Sequence, residues 1–211
     1  MSEKTIYKSL LENGLSKAGA CAMLGNMMAE SSLKANIAQR GMTSLTDEQY
    51  TDKFNTQPDA CYRDGVGYGL CQWTYWSRKR GLWEFAYSRG QSVGDEDMQV
   101  DYAVHELKTE YAALYQFLCS TDDLYDATAR ICKEFERPAV NNIATRYDFA
   151  LDIQSRMVEP TINTTSNFPP DPSIAIFQAV LAFNGYPVEI SGYKDEKFIA
   201  NMREFLKDIG G

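Results

Sequence analysis

From Ala18 to Ala29 the chain reads AGACAMLGNMMA, a stretch without a single charge, and it stops on a carboxylate, Glu30. Ser16 stands where a helix N-cap belongs, since its hydroxyl can take up an orphan N–H of the first turn. The stretch therefore predicts an apolar helix that carries Glu30 at its C-terminal end. Helical spacing continues on both sides of it. Ile6, Leu10 and Leu11 mark a short helix broken at Gly14. Ser77 is placed to cap a helix with Leu82 and Phe85, and Asp95 to cap one with Val100, Val104, Leu107, Tyr111, Leu114 and Leu118 at intervals of three and four. Thr121 precedes Leu124, Ala127, Ile131 and Phe135, with Pro138 as the stop, and a last helix from about Asn142 to Met157 turns Tyr147, Ala150 and Ile153 inward. Strand signal is almost absent, so residues 1–157 predict a mainly α domain.

Two stretches break the pattern. Residues 32–70 are rich in Asp, Asn, Gly and Thr and predict a long excursion with one helical turn at 46–53. Irregular segments of that length inside a compact domain usually serve a site. Residues 158–172, with four prolines among Thr and Asn, predict a linker. Beyond it, residues 173–211 hold two helical segments, 173–184 and 195–208. A module of this size is near the lower limit for an independent core.

The charge balance narrows the partners. A formal net charge of −8 disfavours a broad grip on nucleic acid, which is made by lysine and arginine on phosphates, and disfavours a polybasic membrane anchor. No stretch reaches the roughly 18 apolar residues of a membrane span, and the start lacks the basic and apolar regions of a secretory signal. The expectation is a protein made in the cytoplasm that reaches any outer target by a route it does not encode. A neutral or mixed-charge polymer such as a glycan remains compatible.

Five cysteines, at 21, 61, 71, 119 and 132, are odd in number and form no CxxC, and His105 is the sole histidine. That composition argues against a metal site and against a cysteine nucleophile with a histidine base, and no cofactor is implied. Cys21 and Cys119 read as small buried hydrophobes, while a disulfide involving Cys61 or Cys71 is an open alternative.

The chemistry concentrates on Glu30 and on Gly67-Tyr68-Gly69-Leu70-Cys71-Gln72-Trp73-Thr74. Glycosidic cleavage needs a proton delivered to the leaving oxygen near neutral pH. An apolar helix, the negative end of its dipole, and enclosure by Tyr68, Trp73 and Trp76 would each favour a protonated Glu30. Gln72 can bond sugar hydroxyls or N-acetyl groups while Trp73 covers a sugar face. The glycines lack the lysine and hydroxyl of a phosphate loop and suggest a close approach of backbone to ligand. The plainer readings are a solvated or capping glutamate and tryptophans packed in the core. For a second carboxylate, Asp47, Glu48, Asp59 and Asp64 lie in the excursion, and Asp64, next to the glycines, is the best placed. Glu136 offers another at a helix end, where the plainer reading is an ion pair with a nearby arginine.

These residues resemble a known family. The segment from Ala22 to Ser31 resembles the "GNxxxES" motif of phage tail-tip lysozymes, helical peptidoglycan-cleaving domains related to goose-type lysozymes and lytic transglycosylases. Gly67 to Thr74 is similar to their "GYGLxQWT", followed by Ser77-Arg78-Lys79-Arg80. Phe135-Glu136-Arg137-Pro138 with Arg146 and Ala150 resembles the later "FERP…R…A". The resemblance implies a lysozyme-like fold and cleavage of the β-1,4 bond between N-acetylmuramic acid and N-acetylglucosamine, with Glu30 as general acid and Tyr68, Gln72 and Trp73 at the glycan groove. It leaves two outcomes open: water activated by a base such as Asp64, or internal attack by the muramic C6 hydroxyl to give an anhydro sugar. The segment Ile176 to Val188 is similar to the "xxQxxLxxxGYxV" of a small peptidoglycan-binding repeat. Linker and module together imply a free endolysin more than a tail component. A non-enzymatic wall-binding or tail-structural protein is the rival reading.

Overall fold

The computed structural model describes residues 3–157, 172–186 and 196–209. The chain divides into two compact units, Met1–Met157 and Val158–Gly211. Apart from Pro172, the expected linker lies outside the described residues, as does Gly192.

In the first unit the helices are α1 Glu3–Glu12, α2 Lys17–Ser31, α3 Asp47–Thr56, α4 Asp59–Tyr62, α5 Trp76–Ser88, α6 Glu96–Thr109, α7 Ala112–Ser120, α8 Leu124–Arg130 and α9 Ile143–Met157, with a π-helical segment Ile131–Glu136 running on from α8. Among the described residues there is no β-strand; isolated bridges tie Tyr68 to Ala38 and to Trp73.

Helix α2 is the axis of the unit. Every residue from Ala18 to Met27 is buried, as its uncharged sequence requires, and α1, α7, α8, the π segment and α9 pack around it. Ser16 caps it, its Oγ accepting from the Gly19 N–H at 2.9 Å. Contact with α9 depends on Gly25: a Cβ there would lie 2.7 Å from both Ala150 Cβ and the Arg146 carbonyl oxygen. The missing side chain lets α9 lie against α2 and brings Arg146 to the end that carries Glu30.

The expected boundaries shift in four places. The single turn at 46–53 is a full helix, α3, opened by a capping box in which Thr46 and Gln49 satisfy each other's backbone N–H. Tyr75, not Ser77, precedes α5, and it makes no side-chain cap. The long helix expected from Asp95 through Leu118 is two, α6 and α7, parted at Glu110 and Tyr111; Asp95 does cap the first, accepting from Met98 N–H at 2.9 Å. The helix expected after Thr121 starts at Leu124, capped by Asp123, whose carboxylate accepts from the Asp126 N–H at 2.9 Å. Periodicity reports which face is buried, and two helices packed on one core share a face across a break.

In the second unit α10 spans Pro172–Phe183 and α11 spans Glu196–Ile209. Gln178, Leu181 and Phe198 are buried, Gly185 takes a left-handed turn (φ 85°), and Tyr186 meets the Phe205 ring edge-on at 5.8 Å.

Candidate active site

An open groove of about 1880 Å³ runs across the first unit, with Glu30 in its lining. Sites for drug-sized ligands occupy roughly 300–1,000 Å³, so this groove has room for several sugar rings. Its walls come from the excursion after α2, the glycine-rich segment, α5, α6 and the π segment, and they include Gln72, Tyr75, Trp76, Arg78, Glu106 and Glu136.

Glu30 occupies the last turn of α2 with 17% of its side chain exposed. Arg146 Nη2 donates to its Oε1 at 2.5 Å, and Arg146 Nη1 donates to Asn26 Oδ1 at 3.1 Å. Asn26 is fixed in turn, its amide donating to the Ala22 carbonyl at 2.9 Å and to the Thr128 carbonyl at 3.3 Å. A buried chain of hydrogen bonds across α2, α8 and α9 therefore orients Glu30, and the groove gives it access to a ligand.

A second buried carboxylate, Glu106 on α6, forms the support under the glycine-rich segment. It accepts from Arg78 Nε and Nη2, both at 2.8 Å, from Trp73 Nε1 at 2.7 Å and from Tyr102 Oη at 3.2 Å. Arg78 also donates to the Phe135 carbonyl at 3.1 Å, which ties α5 to the π segment. Sequence reasoning missed Glu106. The available signal was a charged residue on the apolar face of α6, among Tyr102, Ala103 and Leu107, since a charge on a buried face is there to meet a partner.

The third carboxylate is Glu136, the last residue of the π segment. Arg137 behind it adopts left-handed backbone (φ 50°) and turns the chain into Pro138. Both Glu136 carboxylate oxygens are buried and neither has a hydrogen-bond partner. The expected ion pair is absent because the two arginines whose charge it feels are committed elsewhere: Arg146 to Glu30, Arg78 to Glu106. Burial, reinforced by the like charge of Glu30, pushes the Glu136 carboxyl up to about 8, against the pull of Arg78, Arg146 and the Cys71 thiol. The pattern is one arginine each for two of three carboxylates, and none for the third.

The other expected site residues divide. Gln72 and Trp76 line the groove. Gln72 holds left-handed backbone (φ 44°), and its amide donates to the Gly69 carbonyl at 3.0 Å. Trp76 is 39% exposed, with the Arg63 guanidinium 5.0 Å from its ring centre. Tyr68 and Trp73 are fully buried and line no part of it. Tyr68 packs on Tyr50 and Phe54 and bonds Thr51 at 2.7 Å, while Trp73 is occupied by Glu106.

Asp64 also lies outside the groove lining. It accepts from Lys79 Nζ at 2.7 Å, from Tyr50 Oη at 2.7 Å and from the Val66 N–H at 2.9 Å. Burial works to raise its pKa, but the bonds from Lys79, Tyr50 and Val66 outweigh it and hold the carboxyl below its ordinary value. Lys79 is fully buried and completes its bonds on Tyr50 and the Val66 carbonyl. All five cysteines are free thiols. Among the described residues no group of three or more His, Cys, Asp or Glu side chains is placed to hold a metal ion, and no helix is long and apolar enough to cross a membrane.

A helical unit whose central helix delivers a glutamate to a long groove is a lysozyme-like domain. The phage tail lysozyme family model matches residues 2–157, and the chain belongs to that family. It is a lysozyme-like enzyme that degrades peptidoglycan. Comparison with curated proteins gives no match.

Proposed function

We propose that the enzyme is a muramidase that cleaves the β-1,4 bond between N-acetylmuramic acid and N-acetylglucosamine, with Glu30 protonating the bridging oxygen. The observation that carries this reading is the placement of Glu30: it lines the groove, while Arg146 and Asn26 fix it from the buried side. A proton donor held by buried bonds keeps its aim when substrate arrives, and that preorganisation is what general acid catalysis requires. In this reading Gln72 and Trp76 contact the glycan, and Tyr68 and Trp73 act from below by holding the glycine-rich wall in shape. The second unit holds the enzyme on the wall, a role supported by the similarity of Ile176 to Val188 to a small peptidoglycan-binding repeat.

One observation favours a second outcome for the reaction. Asp64, the expected water-activating base, is outside the groove lining and bonded to three other groups. Without it the muramic C6 hydroxyl is the available nucleophile, and its attack gives the anhydro product of a lytic transglycosylase. Mass spectrometry of released fragments separates the two, since the anhydro product is lighter by one water.

The deciding experiment for the proposal is Glu30→Gln on purified sacculi. Binding is expected to survive, with fragment release falling roughly 10²–10⁴-fold. Equal release by wild type and E30Q would sink the assignment.

A further inference from the structure

Helix α5 carries a line of aromatic rings that leads away from the groove. Trp76, Arg80, Trp83 and Tyr87 follow one another at intervals of four, three and four residues, which places them on one face of the helix. The line starts in the groove, where Trp76 stands beside the exposed Tyr75 with ring centres 6.2 Å apart. It ends at Tyr87, which is 71% exposed and stacks on Trp83 with ring centres 4.7 Å apart and planes 17° from parallel. Trp83 is half-buried and its Nε1 donates to the Asn55 carbonyl at 3.4 Å, which gives the stack a fixed base. From Trp76 to Tyr87 the helix rises about 16 Å at ~1.5 Å per residue, roughly the length of three sugar rings.

A second depression, of about 590 Å³, lies along this line. Its lining shares Tyr62, Arg63, Trp76 and Glu84 with the groove and adds Asp59, Arg80 and Trp83. The volume falls within the range of small-ligand sites. Its charges cancel, Arg63 and Arg80 against Asp59 and Glu84, and Arg80 Nε donates to Glu84 Oε1 at 2.7 Å. A lining with two indole rings and no net charge suits a neutral, hydroxyl-rich ligand better than a carboxylate-bearing peptide or a phosphate polymer. Sugar rings offer such chemistry: a face of C–H groups packs on an aromatic ring, and hydroxyls at the rim bond to guanidinium and carboxylate. We propose that a glycan strand leaving the groove at Trp76 continues over this depression onto the Trp83–Tyr87 stack, so that α5 is an outer binding track for sugars beyond those at Glu30. The track rests on the reading of the groove as the glycan site.

The consequence is selection by length. A strand already held in the groove meets the track at a high effective concentration, so the second contact adds affinity once the strand is long enough to reach it. A short fragment that fills only the groove gains nothing. Long and short strands are therefore told apart by KM, and the residues that do so are on α5. Turnover is untouched, because Trp83 bonds to Asn55 and Arg80 to Glu84, away from the chain of Asn26, Arg146 and Glu30. Rings left open to water in a line beside a groove have a reason to be there only if something covers them in use.

The test is Tyr87→Ala and Trp83→Ala in the full chain, with peptide-free glycan strands as probes, the short ones of about four sugars and the long ones of about twelve. Binding is measured by calorimetry in the Glu30→Gln background, and cleavage as kcat and KM with Glu30 present. The expected result on long strands is a KM raised about three- to tenfold in either variant at constant kcat, with no change on short strands. An equal rise at both lengths, or none at either, overturns the proposal. Tyr87→Ala removes an exposed ring and leaves the core intact, so it decides the matter should W83A not fold. A loss seen only with peptide-bearing strands overturns the track in favour of a peptide site. A change in sedimentation with sugar binding unaltered overturns it in favour of contact between copies of the chain. If the long strand binds more tightly than to Y87A but the wild type cleaves nothing, the track stands and the muramidase reading fails. If the wild type cleaves and all three proteins bind long strands equally, the track fails and the muramidase reading stands.

Discussion

Asp64 and Glu136 both lie close to the glycine-rich segment in space, and they are opposites. Asp64 takes bonds from Lys79, Tyr50 and a backbone N–H, which hold it ionised below the ordinary carboxylate range. Glu136 takes none and is held neutral up to about 8. The first cluster is complete and pins the excursion to α5, so its charges stabilise the fold. The second is one donor short, and a missing donor leaves a proton behind. Hydrogen-bond accounting, more than proximity to a motif, separates a carboxylate that holds the fold from one available for chemistry.

The largest effect is expected at Glu30. Glu30→Gln should lower fragment release per folded molecule roughly 10²–10⁴-fold, and because it leaves the buried Arg146 without its counter-charge it should also lower stability. A small effect there would remove the reason for assigning chemistry to the second cluster at all.

Next in size is Asp64→Asn, which leaves the fully buried Lys79 without its counter-charge. Breaking a buried pair from one side costs about 3–5 kcal/mol. Denaturant unfolding should show a loss of that order, while kcat per folded molecule stays near wild type. Because the Asp64 pKa is depressed, its contribution is present above the ordinary carboxylate value and fades as pH falls. The variant should therefore lack that part of the acid sensitivity. Loss of kcat without loss of stability would reverse the roles drawn here.

Glu136→Gln should do the opposite to stability. With the folded pKa raised from 4.5 to about 8, the wild type binds an extra proton when folded and loses stability as pH climbs through that window. Melting scans at both ends should show the wild type falling toward pH 8 and E136Q falling less, so that the variant is the more stable at the alkaline end. Parallel curves would mean that Glu136 is not held neutral.

The smallest effect is at the groove wall. Trp76→Ala removes an exposed ring that touches no part of either cluster's hydrogen bonding. It should weaken glycan binding by about 1 kcal/mol, read as a KM raised roughly fivefold at constant kcat. A fall in kcat instead would place Trp76 within the chemistry.

Much of this was legible in the residues. An uncharged run with a serine before it predicts a buried helix, and α2 is one. Asp95 and Ser16 are caps because a short side chain at a helix start has a backbone N–H within reach wherever the helix goes. Glu30, Gln72 and Trp76 were found from local pattern and do line the groove. The helix breaks at Glu110 and Tyr111 and the buried states of Tyr68 and Trp73 were not readable, because an aromatic side chain in a glycine-rich segment has the same sequence whether it faces sugar or core.

What the sequence determined by itself was everything set by neighbours along the chain: helix faces, caps, the carboxylate ending α2, and the family motifs around it. Only the tertiary structure decided which acid meets which base. Two arginines and three glutamates, drawn from α2, α5, α6, α9 and the π segment, converge across long separations, and Gly25 controls the approach of α9. A carboxylate's charge depends on the donors and dielectric around it in space, and none of those is encoded within a few residues of it.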